Sequence, residues 1–243
     1  MHKPYIIVAP HAQFIPTSAG IRGLYLFAEH LKQSGERATV VTPGQYHHEM
    51  PDNNHIVVYP DCFGGNIYGA KNVVRFLFMY AGYFGQDKDF PESEYMYYYL
   101  PDYILNGRNP DNICTVPMML EERFPYKPPH ERFGDCYLAL KHHNYFGKQC
   151  FGLHEGMLAI DRHMDLAELF SRVRTLYTFD NSLINMEAAF AGIDVVPMYS
   201  ETFKELYRHF DYKNPRESYG RLKALYFNEQ LGQFISRTQE HFR

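Results

Sequence analysis

The chain has 243 residues, of which 45% are hydrophobic, 16% aromatic and 21% charged, and its formal net charge at pH 7 is −4. This length allows one large domain or two of roughly 120 residues, and the ordinary apolar fraction excludes a wholly disordered chain. Because general nucleic-acid binders carry a surplus of basic residues, the acidic balance also argues against a nucleic acid as partner.

The first half of the chain predicts strands and helices in alternation. Residues 5–9 form a short apolar run ended by Pro10, and apolar residues at helical spacing then follow as far as Gly35. With a second β-branched run at 38–42, this pattern predicts a βαβ unit with two parallel strands. Further along we expect a strand at 55–59, a helix at about 70–80 and strands at 95–99 and 113–118.

A proline-rich segment separates this half from a second α/β pattern. Residues 124–134 contain three prolines, two of them consecutive. Because consecutive prolines fit neither a packed helix nor a central strand, this segment is the best candidate for a linker. Beyond it we expect strands at 136–140, 175–179 and 194–198, and helices at 166–173, 182–191 and 222–242.

The strongest local signal is the strand–turn–helix pattern from Thr178 to Glu187. Any residue of Asp180-Asn181-Ser182 can cap the following helix, whose first N–H groups and positive dipole end suit a phosphate. Glu187 comes about one and a half helical turns later, where its carboxylate could accept two hydrogen bonds from a ribose diol. The alternative is a capped helix with a solvated glutamate and no ligand.

This segment resembles the donor-binding strand–loop–helix of GT-B-fold glycosyltransferases, because Asp180-Asn181-Ser182 is followed by Glu187-Ala188-Ala189-Phe190-Ala191-Gly192 and then Val195-Val196. The stretch from Ser18 to Leu31 is similar to the first loop and helix of that family. In the family a glycine there lets the backbone approach the donor diphosphate, and Gly20 matches it. Residues 57–82 and 135–141 resemble bacterial surface-polysaccharide glycosyltransferases of the capsule and lipopolysaccharide type.

The resemblance implies an α/β fold in which two Rossmann-like domains face each other across a cleft, in a compact version. It assigns residues 1–126 to an acceptor domain, 127–221 to a donor domain and 222–243 to a helix that returns to the first domain. The implied reaction moves a hexose-type sugar from a nucleotide diphosphate-sugar donor to a saccharide or glycan acceptor in polysaccharide biosynthesis. It needs neither a metal nor a cofactor besides the donor.

The residues expected to serve this reaction follow the carboxyl ends of predicted strands. His11 and Asp61 come after the first and third strands, and either is a candidate base toward an acceptor hydroxyl. Lys141 ends a strand and could neutralise a diphosphate, although a lone lysine is more often solvated. The resemblance implies donor binding by Gly20, Lys141, Thr178, Asp180, Asn181, Ser182 and Glu187.

Two alternative functions stay open. Many retaining members of the family have another glutamate eight residues before the one matched by Glu187, where this chain has Phe179. That departure, together with the short chain, favours a non-catalytic module that resembles a glycosyltransferase and binds sugar or nucleotide. A nucleotide-sugar epimerase of similar architecture is the other alternative. The departure also leaves retention or inversion at the anomeric carbon open.

The remaining sequence features bear on location and metals. Four cysteines are widely spread, without the close spacing of a zinc knuckle or a redox dithiol. The opening segment is too short for a leader, and no run approaches the ~20 apolar residues of a membrane-spanning helix. We therefore expect a cytoplasmic protein without a metal or a transmembrane segment, for which peripheral membrane association stays open.

Overall fold

The computed structural model describes residues 2–45, 51–83, 89–140, 157–161, 164–198 and 208–243. The chain forms two compact units, Met1–Met118 together with Leu222–Arg243, and Met119–Arg221. Each unit contains its own sheet, with five strands in the first and four in the second. The predicted mixed α/β class with parallel sheets, consistent with Rossmann-like domains, is confirmed. Within the described ranges, no helix is long and apolar enough to cross a membrane.

The first unit begins with the expected βαβ arrangement. Its elements are β1 (Tyr5–Val8), α1 (Ala19–Gln33), β2 (Ala38–Val41), β3 (Ile56–Pro60), β4 (Asn72–Leu77), β5 (Tyr95–Tyr98) and a 3₁₀ helix at Pro101–Tyr103. The strand order is β2-β1-β3-β4-β5, and all neighbouring strands are parallel. The pairing of β1 with β2 runs from Tyr5 with Ala38 to Val8 with Val41.

The second unit repeats the alternation of strands and helices. Its elements are β6 (Asp135–Leu138), β7 (Leu158–Ala159), α2 (Leu166–Phe170), β8 (Thr175–Thr178), α3 (Leu183–Ala191) and β9 (Asp194–Pro197), preceded by 3₁₀ helices at Glu121–Arg123 and Pro129–Glu131. The order is β7-β6-β8-β9, again entirely parallel. The strands and helices predicted between residues 136 and 198 are confirmed, with ends that are slightly shorter.

The last part of the chain supplies a helix to the core of the first unit. α4 (Pro215–Leu225), a π-helical turn (Tyr226–Gln230) and α5 (Leu231–His241) follow one another, which confirms the predicted helical segment. Phe234 of α5 packs edge-on against Phe27 of α1, with 4.9 Å between the ring centroids. The hydroxyls of Tyr5 and Thr238 lie 2.8 Å apart. α1 and α5 therefore cover the same face of the first sheet.

A loop covers the opposite face of the first sheet. Residues 61–71 connect β3 to β4, and Phe63 and Tyr68 from this loop pack against a buried cluster consisting of Ile6, Val8, Val41, Val57, Tyr59, Ala70 and Val73. The Asn66 side chain holds the loop in shape. Its Oδ1 accepts hydrogen bonds from the Tyr59 hydroxyl at 3.0 Å and the Ala70 N–H at 2.9 Å.

Buried Arg75 joins this loop to β4. Its Nε and Nη2 contact the two carboxylate oxygens of Glu94 at 2.8 and 3.0 Å. The same guanidinium donates to the carbonyls of Phe63 and Gly65, each at 2.9 Å. The Glu94 carboxylate thus compensates the buried charge of Arg75. The bonds to the two carbonyls hold the residues after β3 in place.

The helix predicted at about 70–80 is wrong, because Asn72–Leu77 is strand β4. All six of its residues are buried, since the strand lies between β3 and β5. A central parallel strand covered on both faces shows a continuous apolar run instead of alternation, and the pair Val73-Val74 favours a strand. Polar Arg75 interrupts that run and made the apolar residues resemble one face of a helix.

The strand predicted at 113–118 is also wrong for the most part. In the described chain, its only ladder contact with β5 is an isolated bridge between Ile113 and Tyr98. Beyond that bridge, side chains take part in the hydrogen bonds. The Thr115 N–H donates to the Gln230 side-chain oxygen, and the Thr115 hydroxyl donates to the Tyr99 carbonyl, both at 2.9 Å.

Candidate functional site

In each sheet the second strand in the chain lies on one side of the first strand, and the third strand lies on its other side. The strand order therefore reverses direction once in each sheet. In open parallel sheets of this kind, ligands bind in the crevice outside the carboxyl ends of the two strands at that point. In the second unit these strands are β6 and β8, so the turn 179–182 and the start of α3 lie at that edge. In the first unit they are β1 and β3, which are followed by the loops that contain His11 and Asp61.

A set of hydrogen bonds holds the turn after β8. The Asp180 carbonyl accepts from the Thr178 hydroxyl at 2.8 Å and from the Asn185 side-chain amide at 2.6 Å. The Asp180 N–H donates to Thr178 Oγ1 at 3.2 Å. At the start of the turn, the Phe179 N–H donates to the Leu138 carbonyl of β6 at 2.8 Å. The turn is thus attached to both the sheet and the helix.

Ser182 is the residue that caps α3. Its Oγ accepts a hydrogen bond from the Ile184 N–H at 3.3 Å, and its extended backbone, with φ −146° and ψ 152°, is typical of an N-cap. Asp180 and Asn181, the other two predicted candidates, lie before it in the turn. The 9-residue helix therefore directs the positive end of its dipole toward the carboxyl edge of the second sheet.

Glu187 lies inside the second unit. Its exposed fraction is 2%, and its neighbours on α3 are almost all buried as well. The alternative interpretation, a solvated glutamate on a surface helix, is therefore wrong. Phe179, at the position of the family's other glutamate, is 6% exposed and offers no polar side chain to a ligand. Binding of a ribose diol by Glu187 stays a prediction.

Two glycines of α1 have different environments. Gly20 lies in the first turn and is exposed, and a Cβ added to it would meet no atom within 4 Å. At Gly23, one turn later, a Cβ would lie 2.5 Å from Met118 Sδ and 3.3 Å from Phe78 Cε1. This close approach of α1 was not predicted, although a glycine in the interior of a helix is a signal for it. Lys141, the other predicted donor ligand, lies outside the described residues.

His11 is exposed and bonded within its own loop. Its Nδ1 lies 3.2 Å from both the N–H and the carbonyl of Gln13. The Tyr25 hydroxyl donates to the His11 carbonyl at 3.0 Å, which attaches the loop after β1 to α1. In the part of the chain that the structure describes, no hydrogen bond joins His11 to Asp61, although they follow neighbouring strands.

Asp61 is the titratable group of this region with the strongest perturbation. It is 4% exposed, and its Oδ1 accepts from the Phe78 N–H at 3.2 Å. Its Oδ2 is buried and has no hydrogen-bond partner among the described residues. Burial raises the pKa of the carboxyl to about 7, against a smaller lowering by backbone N–H groups and Arg75. The Asp61 carboxyl therefore changes its protonation state close to neutral pH, far above the usual range of an aspartate.

Asp61→Asn should make the protein more stable at high pH. Because the pKa of Asp61 rises from 3.8 to about 7 on folding, wild-type stability from this group is present below pH 4 and is lost as the pH rises toward 7. The loss amounts to at most about 4 kcal/mol. Urea unfolding at about pH 3.5 and about pH 8 checks this: the two proteins should differ little at the lower pH, and the variant should be more stable at the higher. Equal pH dependence of wild type and variant would contradict the raised pKa.

The described cysteines and metal-binding groups offer no further chemistry. Cys62, Cys114 and Cys136 are free thiols, and burial raises the pKa of Cys62 and of Cys136 to about 12. These thiols stay protonated at neutral pH and are poor nucleophiles. Among the described residues, no group of three His, Cys, Asp or Glu side chains is arranged to hold a metal ion.

No protein-family model and no curated protein matches this chain. Two features of the molecule point to a ligand site. One is the strand–turn–helix pattern of residues 178–187, and the other is the set of loops at the carboxyl edges of the two sheets. Of these loops, the turn after β8 has the greater number of predicted ligand-binding residues.

Proposed function

We propose that this protein is a glycosyltransferase whose nucleotide diphosphate-sugar donor binds at the carboxyl edge of the second sheet. The observation that carries the proposal is the turn 179–182, which leads directly into the Ser182-capped start of α3. Phosphates bind to helix N–H groups at this position in nucleotide-binding parallel sheets. The resemblance to GT-B enzymes supports the same assignment and implies a hexose-type sugar and a saccharide or glycan acceptor.

The chemistry of such a site is stabilisation of the leaving group. During transfer, the bond between the anomeric carbon and the β-phosphate oxygen breaks, and its electron pair stays on the diphosphate. The acceptor oxygen bonds to the anomeric carbon. N–H donors at the start of α3 hold the growing negative charge without a metal, with Lys141 as a second predicted partner. The proton of the acceptor hydroxyl goes to a base, for which Asp61 and His11 are the candidates.

A matched pair of variants at Ser182 tests the donor site. Wild type should bind at least one of ADP, GDP, UDP, CDP and dTDP in isothermal titration calorimetry. Ser182→Asp should weaken that binding at least about tenfold, because its carboxylate still caps the helix but repels a phosphate. Ser182→Asn caps equally well without the charge and should bind within about threefold of wild type. Equal affinities of the two variants, or no binding by wild type, would refute the donor site.

Product analysis separates transfer from the two alternative functions. The protein is incubated with the nucleotide sugar of the nucleotide that binds, with and without a panel of oligosaccharides, and the products are followed by NMR. A transferase releases the nucleoside diphosphate and produces a new glycosidic linkage, or hydrolyses the donor slowly when no acceptor is present. An epimerase changes the sugar without needing an acceptor. A binding module leaves the nucleotide sugar intact, which would exclude the catalytic half of the proposal.

A further inference from the structure

A groove in the first unit lies apart from the loops described above. Its volume is about 410 Å³, within the range of about 300–1,000 Å³ that is typical of small-molecule sites. The segment before β1, the residues after α1 and the helical stretch from Phe227 onward line it, and all of them belong to the first unit. Because His2 precedes β1 and Glu36 precedes β2, the groove lies at the amino edge of the first sheet. His11 and Asp61 follow strands at the opposite edge.

Glu36 is the most deeply enclosed charged group of this groove. Its side chain is 10% exposed, whereas the side chain of His2 is 57% exposed, and Glu240 and Arg243 are exposed as well. Glu36 Oε1 lies 2.8 Å from His2 Nδ1, and among the described residues no donor bonds to Oε2. An enclosed charge acts through a lower effective dielectric constant than exposed charges, which salt screens. Glu36 therefore makes the potential in the groove negative.

The ends of two helices add to this negative potential. Ser34, which follows α1, and Glu240, in the last turn of α5, both line the groove. The carboxyl end of a helix carries partial negative charge. The amino end of α5 continues directly from the π-helical turn, so it presents no opposing positive end. The groove therefore favours a cation over an anion, even though Arg243 also lines it.

The other wall of the groove is apolar. Phe227, Leu231 and Ile235 line it and lie on one face of the helical stretch, because they are four residues apart. Phe227 is 44% exposed, and the face of an aromatic ring attracts organic cations. It belongs to the π-helical turn, a rare feature that is frequent at functional sites. Gly232 widens the groove, since a Cβ added to it would meet no atom within 4 Å.

We propose that this groove binds a small organic ammonium ion with an apolar body. The ammonium group donates a hydrogen bond to Glu36 Oε2, which is stronger than a bond between neutral groups. The apolar body lies against Phe227, Leu231 and Ile235 and is thereby removed from water. This site does not depend on the proposed function, because the donor site lies in the second unit.

Calorimetry with three compounds of similar shape tests the charge preference. Wild type should bind phenethylamine with a Kd of about 1 mM or lower, and neutral phenethyl alcohol and anionic hydrocinnamate at least about fivefold more weakly. Glu36→Gln keeps the shape but removes the charge, and it should weaken amine binding at least about fivefold. Glu29→Gln is the matched control, because it removes an exposed carboxylate of α1 that pairs with Lys32. It should bind the amine within about twofold of wild type.

A pair of glycine variants tests the location. Gly232→Leu fills the groove and should weaken phenethylamine binding at least about tenfold. At Gly220 of α4 an added Cβ also meets no atom within 4 Å, and this residue does not line the groove, so Gly220→Leu should retain wild-type affinity. Both variants should unfold at or above the wild-type temperature, because glycine is unfavourable inside a helix. A loss of binding in Gly232→Leu is then not a loss of folding.

Several results would overturn the inference. They are the absence of phenethylamine binding by wild type, tighter binding of hydrocinnamate than of the amine, and wild-type affinity in Glu36→Gln or in Gly232→Leu. None of them bears on the proposed donor site, which is tested separately with nucleoside diphosphates and the Ser182 variants. Conversely, failure of wild type to bind a nucleoside diphosphate would leave the ammonium site unaffected.

Discussion

Replacing Arg75 with methionine should cost the first unit about 3–5 kcal/mol of its free energy of unfolding, because the partner charge is left buried and uncompensated. Arg75 is 0% and Glu94 is 5% exposed, and two nitrogen–oxygen contacts of 2.8 and 3.0 Å join them. The chain has no tryptophan, so urea unfolding followed by far-UV circular dichroism is the suitable measurement.

The double variant Arg75→Met/Glu94→Leu is the control for this prediction. Because it leaves neither charge in the interior, it should recover most of the stability that Arg75→Met loses. Arg75→Met also removes the donors to the carbonyls of Phe63 and Gly65, so limited proteolysis should cut the loop 61–71 faster in both variants. A loss below about 1 kcal/mol in Arg75→Met would mean that water or another group compensates Glu94.

Arg132→Met should destabilise the second unit by about 3 kcal/mol, because several buried carbonyls lose their donor at once. The side chain is 5% exposed and donates to the last carbonyls of two helices, Phe170 of α2 and Ala191 of α3. It also donates to Val173 at 3.3 Å and to Lys127 at 2.9 Å. Hydrogen exchange measured by mass spectrometry should show faster exchange in both helices.

Arg132→Lys is the matched control for the second unit. A lysine retains the positive charge but lacks the planar fork that reaches carbonyls on two helices at the same time. Its loss of stability should therefore fall between those of wild type and Arg132→Met. If Arg132→Lys is as stable as wild type, the charge near the helix ends is sufficient, and the separate hydrogen bonds contribute little.

Much of the fold follows from local pattern. The structure agrees with the sequence pattern at β1, α1 and β2. In each of these elements most of the apolar residues that carry the pattern are buried in the core. The error at β4 has a different cause. Arg75 is a charged residue, and it is buried because its charge is paired with Glu94, 19 residues further along the chain. The local pattern around Arg75 contains no information about that partner.

The candidate site was predictable to a similar extent. Ser182 was among the three capping candidates because its residue type and its place before an apolar helix are sufficient evidence. The burial of Glu187 could not be predicted, since it depends on how α3 packs against its sheet. Asn185 was missed because its hydrogen bond to Asp180 depends on the path of the turn, whereas Gly23 carried a visible signal that packing later explained.

The helix α5 has a consequence for the order in which the protein matures during synthesis. Phe234 contacts Phe27, and Gln239 bonds the backbone of Lys3, so α1 and the segment before β1 receive contacts from a helix that follows the second unit in the chain. The ribosome releases residues 119–221 before α5. The second unit can therefore acquire its structure while part of one face of the first sheet is still uncovered, and we expect a chaperone to bind that apolar face until α5 has been made.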